Sequence, residues 1–261
     1  MLQLPFTIEQ FETYIMIFIR VGAIIFSVPL FGSSDVPKTA KIGLSLCIAL
    51  ILYPAIPVPK ELFSMKVIQL VPSMIAEVLI GVLIGLTARL FFEGVQLSGQ
   101  LVGFQMGFGV ASVFDPLSGA TFSVLSQIQN LLATLLFLIL NMHHWFFRAM
   151  ALSFEKIPIF HCYVSNQLIQ QWVDLMSIVF VVGLKIAAPI MAVLVFSDFA
   201  LGILNKAAPM IQVFLLSFPL KIAGGLFVLA MTLPMFYVVL KKTFFIYEDY
   251  IQLIIKGGTA P

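Results

Sequence analysis

Residues 71–92 read VPSMIAEVLIGVLIGLTARLFF, an apolar stretch in which Glu77 and Arg89 are the only charged side chains. An α-helix needs about 20 consecutive, predominantly apolar residues to cross the hydrocarbon core of a membrane. The stretch has that length, and it therefore predicts a membrane-spanning helix.

The composition of the whole chain also indicates a membrane protein. Of its 261 residues, 61% are hydrophobic and 10% are charged, whereas soluble domains average about 45–50% apolar and about 25% charged residues. The net charge of +2 leaves no basic surface that could follow a phosphate backbone. These values exclude an ordinary soluble enzyme, a disordered tail and a nucleic-acid-binding protein.

Further regions approach the length of a membrane span, and they are Phe11–Phe31, Ile42–Ile56, Leu125–Leu140, Leu175–Phe196 and Phe214–Leu240. The second and fourth of the six regions in chain order are short, which is compatible with hairpins, a thinned bilayer or burial inside an assembly. Turn-forming residues separate the regions, and no extended polar linker does. We expect an all-α polytopic membrane protein of helical hairpins with broken helices, folded as one integral-membrane domain over residues 1–261.

The lysines and arginines between the regions predict the orientation in the membrane, because cytoplasmic loops are enriched in these residues. If all six regions cross, one side carries three of these cations, Lys38, Lys41 and Lys206. The other side carries seven, namely Lys60, Lys66, Arg148, Lys156, Lys241, Lys242 and Lys256. The imbalance predicts a cytoplasmic C-terminus.

The third region contains a series with a spacing of four residues: Glu77, Gly81, Gly85, Arg89 and Glu93. Residues at this spacing form a gently winding stripe along one helix face. The glycines allow a neighbouring helix to approach closely, and Arg89 and Glu93 are spaced to pair with each other. We expect close packing at the glycines, with a second series, Gly99, Gly103, Gly107 and Ala111, continuing it.

Four more charged residues interrupt apolar runs, namely Arg20, Lys185, Asp198 and Lys221. An ionisable group in a membrane costs about 2.5–3.5 kcal/mol on insertion scales, so such groups have partners or functions. A proton relay would need buried carboxylates or histidines in series, and few residues of this chain qualify. Structural or intersubunit pairing is therefore the favoured interpretation of these charges.

The connection between Glu93 and Val124 contains no lysine or arginine and is too apolar for a solvated loop. Residues 94–119 read GVQLSGQLVGFQMGFGVASVFDPLSG. Irregular backbone at membrane depth is tolerated where it is buried in protein or lines a cavity, and long connections are often functional. We therefore predict that segment 94–124 is a functional loop.

The chain lacks the residue patterns of an enzyme. It shows no nucleophile with an ordered base, no paired acids at catalytic spacing and no phosphate-binding loop. The adjacent His143 and His144 point to different helix faces and do not form a metal site, and with Trp145 they are typical of an interfacial belt. We expect no enzymatic activity, no metal and no cofactor.

Short motifs along most of the chain resemble the FliR family of flagellar type III export-gate membrane proteins and, more distantly, the counterparts of that family in virulence injectisomes. The strongest match is FQMGFGVASVFDP at residues 104–116. The remaining matches are RVG at 20–22, PLFG at 29–32, VP at 36–37, KIGL at 41–44, GQLVG at 99–103, NMHH at 141–144, AAP at 207–209 and FPLK at 218–221.

The resemblance implies a fold and partners. Members of this family are similar to a FliP-like unit joined to a FliQ-like unit, and they assemble with FliP-like and FliQ-like subunits around a pore for unfolded export substrates. A FlhB-like protein associates with that assembly in the bacterial inner membrane, at the flagellar basal body, where the helices contact partner subunits as well as membrane lipid.

The resemblance also implies site residues. An inter-hairpin loop would plug the idle pore, formed here by Gly103, Gln105, Met106, Gly107, Phe108, Gly109, Val110 and Phe114. Buried charges that support assembly would be Arg20, Glu77, Arg89, Glu93, Lys185 and Lys221. Three other functions stay open at this point: an injectisome export subunit, a scaffold without a gate, and a proton-coupled transporter of small solutes, which would need a binding site at the membrane midplane on broken helices.

Overall fold

The computed structural model describes residues 8–29, 36–56, 67–108, 124–159, 166–207 and 213–257. These residues form seven α-helices and one short 3₁₀ helix, Tyr53–Ala55, and they contain no strand. The helices in chain order are α1 Ile8–Ser27, α2 Lys38–Leu52, α3 Val67–Met106, α4 Val124–Ile139, α5 Met142–Lys156, α6 Asn166–Ala207 and α7 Val213–Gly257. The all-α prediction is confirmed.

Five helices in the described part of the chain are long and apolar enough to cross a membrane, namely α1, α2 with the 3₁₀ helix, α3, α6 and α7. Helices α4 and α5, interrupted at Asn141, together count as a sixth, broken span. The prediction of a polytopic membrane protein with up to six spans is therefore confirmed.

Helices α3, α6 and α7 contain 40, 42 and 45 residues. At 1.5 Å per residue they are about 60–68 Å long, roughly twice the thickness of the hydrocarbon core. The apolar regions read from the sequence are shorter, because hydropathy detects only the part of a helix that is apolar, and backbone hydrogen bonding continues into polar residues.

One such extension lies at the end of α3. The segment expected to be a loop from residue 94 onward is helical from Gly94 to Met106, and Gly107 follows as a turn. Glycine is unfavourable in an isolated helix, but Gly99 lies so close to the backbone of Ser126 on α4 that a Cβ atom would not fit. Close packing against a neighbour thus explains why this glycine-rich stretch is a helix.

The chain divides into two compact units. Unit 1 consists of Met1–Leu90, Asn141–Leu175 and Ile246–Pro261, and unit 2 consists of Phe91–Leu140 and Met176–Phe245. Helices α1, α2 and α5 belong to unit 1 and α4 belongs to unit 2, whereas the three long helices contribute residues to both.

In unit 1, α1 packs closely against α3 at two glycines of the predicted stripe. A Cβ atom on Gly81 would lie 2.6 Å from Ala23 Cβ and 2.7 Å from the carbonyl oxygen of Arg20. A Cβ atom on Gly85 would overlap Ser27 in the same way. The small residues therefore set the separation of the two helices, as the stripe predicts.

In unit 2, one apolar cluster joins α3, α4, α6 and α7, and its buried members are Val102, Met106, Leu125, Ala187, Ile190, Leu194 and Leu229. Phe91, Phe92, Phe137 and Phe244 pack ring against ring in the same unit, with centroids 5.2–6.5 Å apart. Pro189 and Pro219 lie inside α6 and α7, which continue through them. Packed membrane helices tolerate such prolines because neighbouring groups satisfy the freed carbonyls.

Candidate functional site

A fully buried ion pair lies at the centre of unit 1. Arg20 of α1 and Glu77 of α3 have side-chain exposures of 0% and 1%. Arg20 Nε donates to Glu77 Oε2 at 2.5 Å, and Nη2 donates to Oε1 at 3.0 Å. This bidentate geometry matches the planar guanidinium to both carboxylate oxygens, which makes it a strong form of ion pair.

The remaining nitrogen of Arg20 reaches the end of helix α5. Nη1 donates to the carbonyl oxygens of Ser153 at 3.0 Å and Ile157 at 2.9 Å, and the guanidinium carbon lies 4.2 Å from the centroid of the Phe154 ring. The carbonyl oxygen of Ser153 also accepts from the backbone N–H of Ile157 at 2.9 Å. A cation is favourable at the C-terminal end of a helix. Arg20 thus joins α1, α3 and α5, and it has its interhelix partners within this chain.

A second polar cluster lies in unit 2, where three helices meet. Lys221 of α7 pairs with Asp198 Oδ1 of α6. Gln105 Nε2, one residue before the end of α3, donates to Asp198 Oδ2 at 2.9 Å. The side chains of Lys221 and Asp198 are 17% and 39% exposed. We call Gln105, Asp198 and Lys221 the polar triad.

Beside the polar triad, the end of α3 is fixed by apolar contacts. Met106 is 0% exposed and lies against Gly225 of α7. A Cβ atom at position 225 would collide with the Met106 side chain. Gly107 follows with φ of +93°, and because it has no side chain, the ring of Phe218 can pack against it. A left-handed glycine is a common way to end a helix, so the chain leaves α3 from a defined point.

The predicted plug residues fall on both sides of this point. Gly103 and Met106 are buried, while Gln105, Gly107 and Phe108 are half-buried, and Phe108 packs against the apolar cluster of unit 2. Gly109, Val110 and Phe114 lie outside the described residues. The structure brings Gln105 of the predicted plug together with Lys221 of the predicted assembly charges.

The other predicted charges lie on helix surfaces. Arg89 is exposed and Glu93 is half-buried on α3, and Lys185 is exposed on α6. Lys185 has no ion-pair partner among the residues that the structure describes. Unlike Arg20, it therefore presents its charge outward from this chain.

Sequence reasoning named the charged residues but not all of their contacts. The sequence marks Asp198 as a charge in an apolar run but gives it no partner, and it gives no indication of the carbonyl groups of Ser153 and Ile157. Periodicity relates residues within one helix, whereas Gln105 and Asp198 are separated by 93 positions and Arg20 and Ser153 by 133. The position of Lys221 inside an apolar run was the local signal, and it marked the residue without identifying its partner.

Comparisons with known proteins identify the family. The model of a family described as "Bacterial export proteins, family 1" matches residues 11–245. The chain is 33% identical over 219 residues to the flagellar biosynthetic protein FliR of Pectobacterium carotovorum subsp. carotovorum, covering 84% of this chain and 83% of that relative. It is 32% identical over 237 residues to FliR of Escherichia coli K12, covering 89% and 90% of the two chains.

A third relative agrees with these matches. FliR of Bacillus subtilis 168 is 30% identical to the chain over 240 residues, covering 91% of this chain and 92% of the relative. The matched region includes both the buried ion pair of unit 1 and the polar triad of unit 2. The chain belongs to the FliR family of bacterial export proteins.

Proposed function

We propose that this protein is a structural and gating subunit of the bacterial flagellar type III export channel. It assembles with FliP-like and FliQ-like subunits into the pore for unfolded flagellar proteins, with a FlhB-like protein beside it. It is a non-enzymatic, multi-pass protein of the inner membrane, located at the flagellar basal body. Its family and its five to six candidate spans support this proposal.

The observation that carries the gating role is the fixed end of α3. Met106 lies in a tight apolar contact with Gly225, and Gln105 is bonded to the polar triad. The glycine-rich run continues directly from this point. A segment with one firmly held end can move aside and return to the same place, as a reversible plug must.

The chemistry of the segment suits closure of a wide pore. A channel for an unfolded chain must be broad, yet it must hold back small ions when idle, and apolar constrictions achieve this by excluding water. Bulky Phe114 and Val110 supply the apolar surface, while Gly109 supplies backbone freedom. Because Met106 is fully buried, we assign it the role of an anchor for the plug.

The apolar surface of unit 2 supports the proposed partners. Phe196 and Phe199 on α6 and Phe227 and Met231 on α7 have exposed fractions between 66% and 76%. These helices are about twice as long as the hydrocarbon core is thick. Lipid tails therefore cannot cover the apolar side chains along their whole length. Partner subunits would cover the remainder.

The plug is tested with the assembled channel carrying Val110→Gly and Phe114→Gly together. We expect the complex to assemble normally and its idle channels to pass small ions, measured as ion flux from vesicles that contain the purified complex. Deletion from Gly103 onward is a poorer test, because it also removes Met106 from the apolar cluster of unit 2.

The control for this test is Phe104→Ala, which removes a ring of the same kind from an exposed position on α3. This variant should remain tight. If the plug variant assembles and also remains tight, the gating role is wrong, and a scaffold without a gate explains the protein better.

A further inference from the structure

A groove in unit 1 lies between helices α5 and α7, outside the buried ion pair described above. Helix α5 contributes Trp145, Arg148, Leu152 and Lys156, and helix α7 contributes Glu248, Gln252, Ile255 and Lys256. Both sets follow the spacing of three and four residues that aligns side chains on one face of a helix. The groove has a volume of about 240 Å³.

The rim of the groove is positively charged. Arg148, Lys156 and Lys256 are exposed and Glu248 is half-buried, so three cations and one carboxylate give the lining a net charge of +2. Arg148 has no ion-pair partner within the described ranges. Lys156 lies 3.4 Å from the neighbouring Glu155, but both side chains are largely exposed, and such pairs contribute little.

The floor of the groove is apolar. Ile255 is buried, Leu152 and Trp145 are half-buried, and these side chains lie beneath the charged rim. A site with an apolar floor and a cationic rim fits a molecule that has both an apolar part and an anionic part. Tryptophan is also the residue type that prefers the boundary between lipid and water.

The position along the chain agrees with a membrane boundary. The apolar run of α7 ends at Leu240, and Lys241 and Lys242 follow. The rim cations belong to the seven on the side with excess lysine and arginine, which the sequence predicts to be cytoplasmic. The groove residues of α7 follow Leu240 on the same helix, so they lie on the side of the apolar run where these cations are found.

We propose that the groove binds an anionic phospholipid. The Arg148 guanidinium, whose forked donors match phosphate oxygens, holds the phosphate together with Lys156 and Lys256. Leu152, Ile255 and Trp145 contact the glycerol backbone and the first acyl carbons. Glu248 accepts a hydrogen bond from a headgroup hydroxyl, as phosphatidylglycerol provides. This inference does not depend on the plug.

The test is native mass spectrometry of the full-length protein in its membrane complex, titrated with phosphatidylglycerol or with phosphatidylcholine. The groove variant carries Arg148→Gln, Lys156→Gln and Lys256→Gln. Each cation near an anionic lipid contributes about a fivefold change in affinity. We therefore expect the groove variant to lose phosphatidylglycerol affinity by on the order of 100-fold, and the unaltered protein to prefer phosphatidylglycerol over phosphatidylcholine.

The matched control carries Lys206→Gln, Lys241→Gln and Lys242→Gln, three exposed lysines that do not line the groove. It changes the net charge equally and should keep its phosphatidylglycerol affinity. An equal loss in the control would show diffuse attraction of the whole protein to charged lipid and would overturn the proposal. Equal binding of both lipids by the unaltered protein would do the same.

Two further arms identify the source of the phosphate and guard against misfolding. If millimolar inorganic phosphate displaces the lipid, the ligand is a free anion and the lipid assignment is wrong. If the groove variant keeps its lipid but loses partner subunits, the groove is a protein contact instead. Should the triple variant not be recovered, Arg148→Gln alone should lose about fivefold in affinity and Arg148→Lys should keep most of it, and equal affinities of these two single variants would overturn the proposal.

Discussion

Arg20 is completely buried, and four hydrogen bonds to three different residues hold its guanidinium group. Glu77 neutralises the charge, and the carbonyl groups of Ser153 and Ile157 accept from the nitrogen that faces α5. Removal of one member of a buried pair leaves an uncompensated charge, which costs more than the pair itself contributes.

This argument predicts the effect of Glu77→Leu on stability. The variant should lower the free energy of unfolding by about 3–5 kcal/mol, because Arg20 keeps its charge without a carboxylate. Thermal unfolding of the full chain in detergent would measure the loss. The double variant Arg20→Met with Glu77→Leu should recover much of it, since no lone buried charge remains.

The exposed Arg148 provides the control for that prediction, because Arg148→Met removes the same charge from a surface position. Its effect on unfolding should be small. A Glu77→Leu variant as stable as the unaltered protein would show that Arg20 is hydrated or differently paired, and the packing described for unit 1 would be wrong at this residue.

At the scale of whole helices, the contact of α1 with α3 depends on residues without side chains. Gly81 and Gly85 allow the backbones to approach, and a methyl group at Gly81 would meet Ala23 and the backbone of Arg20. Any larger residue must push the two helices apart, and that movement would also disturb the Arg20–Glu77 pair one turn away.

We predict opposite effects for two glycine-to-alanine variants. Gly81→Ala should destabilise the protein by about 1–3 kcal/mol through overpacking. Gly43→Ala on α2 meets nothing within 4 Å and should stabilise the protein by about 0.5–1 kcal/mol, because alanine favours a helix. The same unfolding assay measures both, and equal shifts in one direction would contradict the close contact of α1 with α3.

The helices were predictable to the extent that their residues are apolar. The apolar residues 71–92 predict only part of α3. The helix continues to Met106 because the contact of Gly99 with Ser126 outweighs the low helix propensity of glycine. The charged residues of the candidate sites were also predictable, since a charge in an apolar run is conspicuous. The partners of these residues could not be predicted. Only the folded chain brings Glu77 to Arg20 and Asp198 to Gln105.

At the scale of the whole molecule, unit 2 carries large apolar side chains that the described part of the chain leaves exposed. Phe196 is 76% exposed on α6 and Phe227 is 66% exposed on α7. Such side chains contribute little to the stability of this chain alone. They are therefore available to stabilise contacts with other subunits.

This surface gives a prediction for assembly. Phe196→Glu should leave unfolding of the isolated chain nearly unchanged. When the protein is purified through a tag, however, the variant should lower recovery of the proposed FliP-like and FliQ-like subunits, because a charge in an apolar interface is costly. Quantitative mass spectrometry of the purified complex measures the ratio of subunits. Phe196→Leu keeps the surface apolar and should recover them normally, and equal recovery with glutamate would place this side chain outside any interface.

The Arg20 contacts also impose an order of events on biosynthesis. Glu77 follows Arg20 by 57 positions and Ser153 follows it by 133. At a synthesis rate of about 5–20 residues per second, Arg20 waits on the order of 3–11 seconds for its carboxylate and longer for α5. During that time Arg20 has no carboxylate partner, and its unneutralised charge makes insertion of α1 into the hydrocarbon core unfavourable. We therefore expect stable insertion of α1 to wait for α3. Helix α1 precedes α3 along the chain, yet it would then settle in the membrane only together with α3.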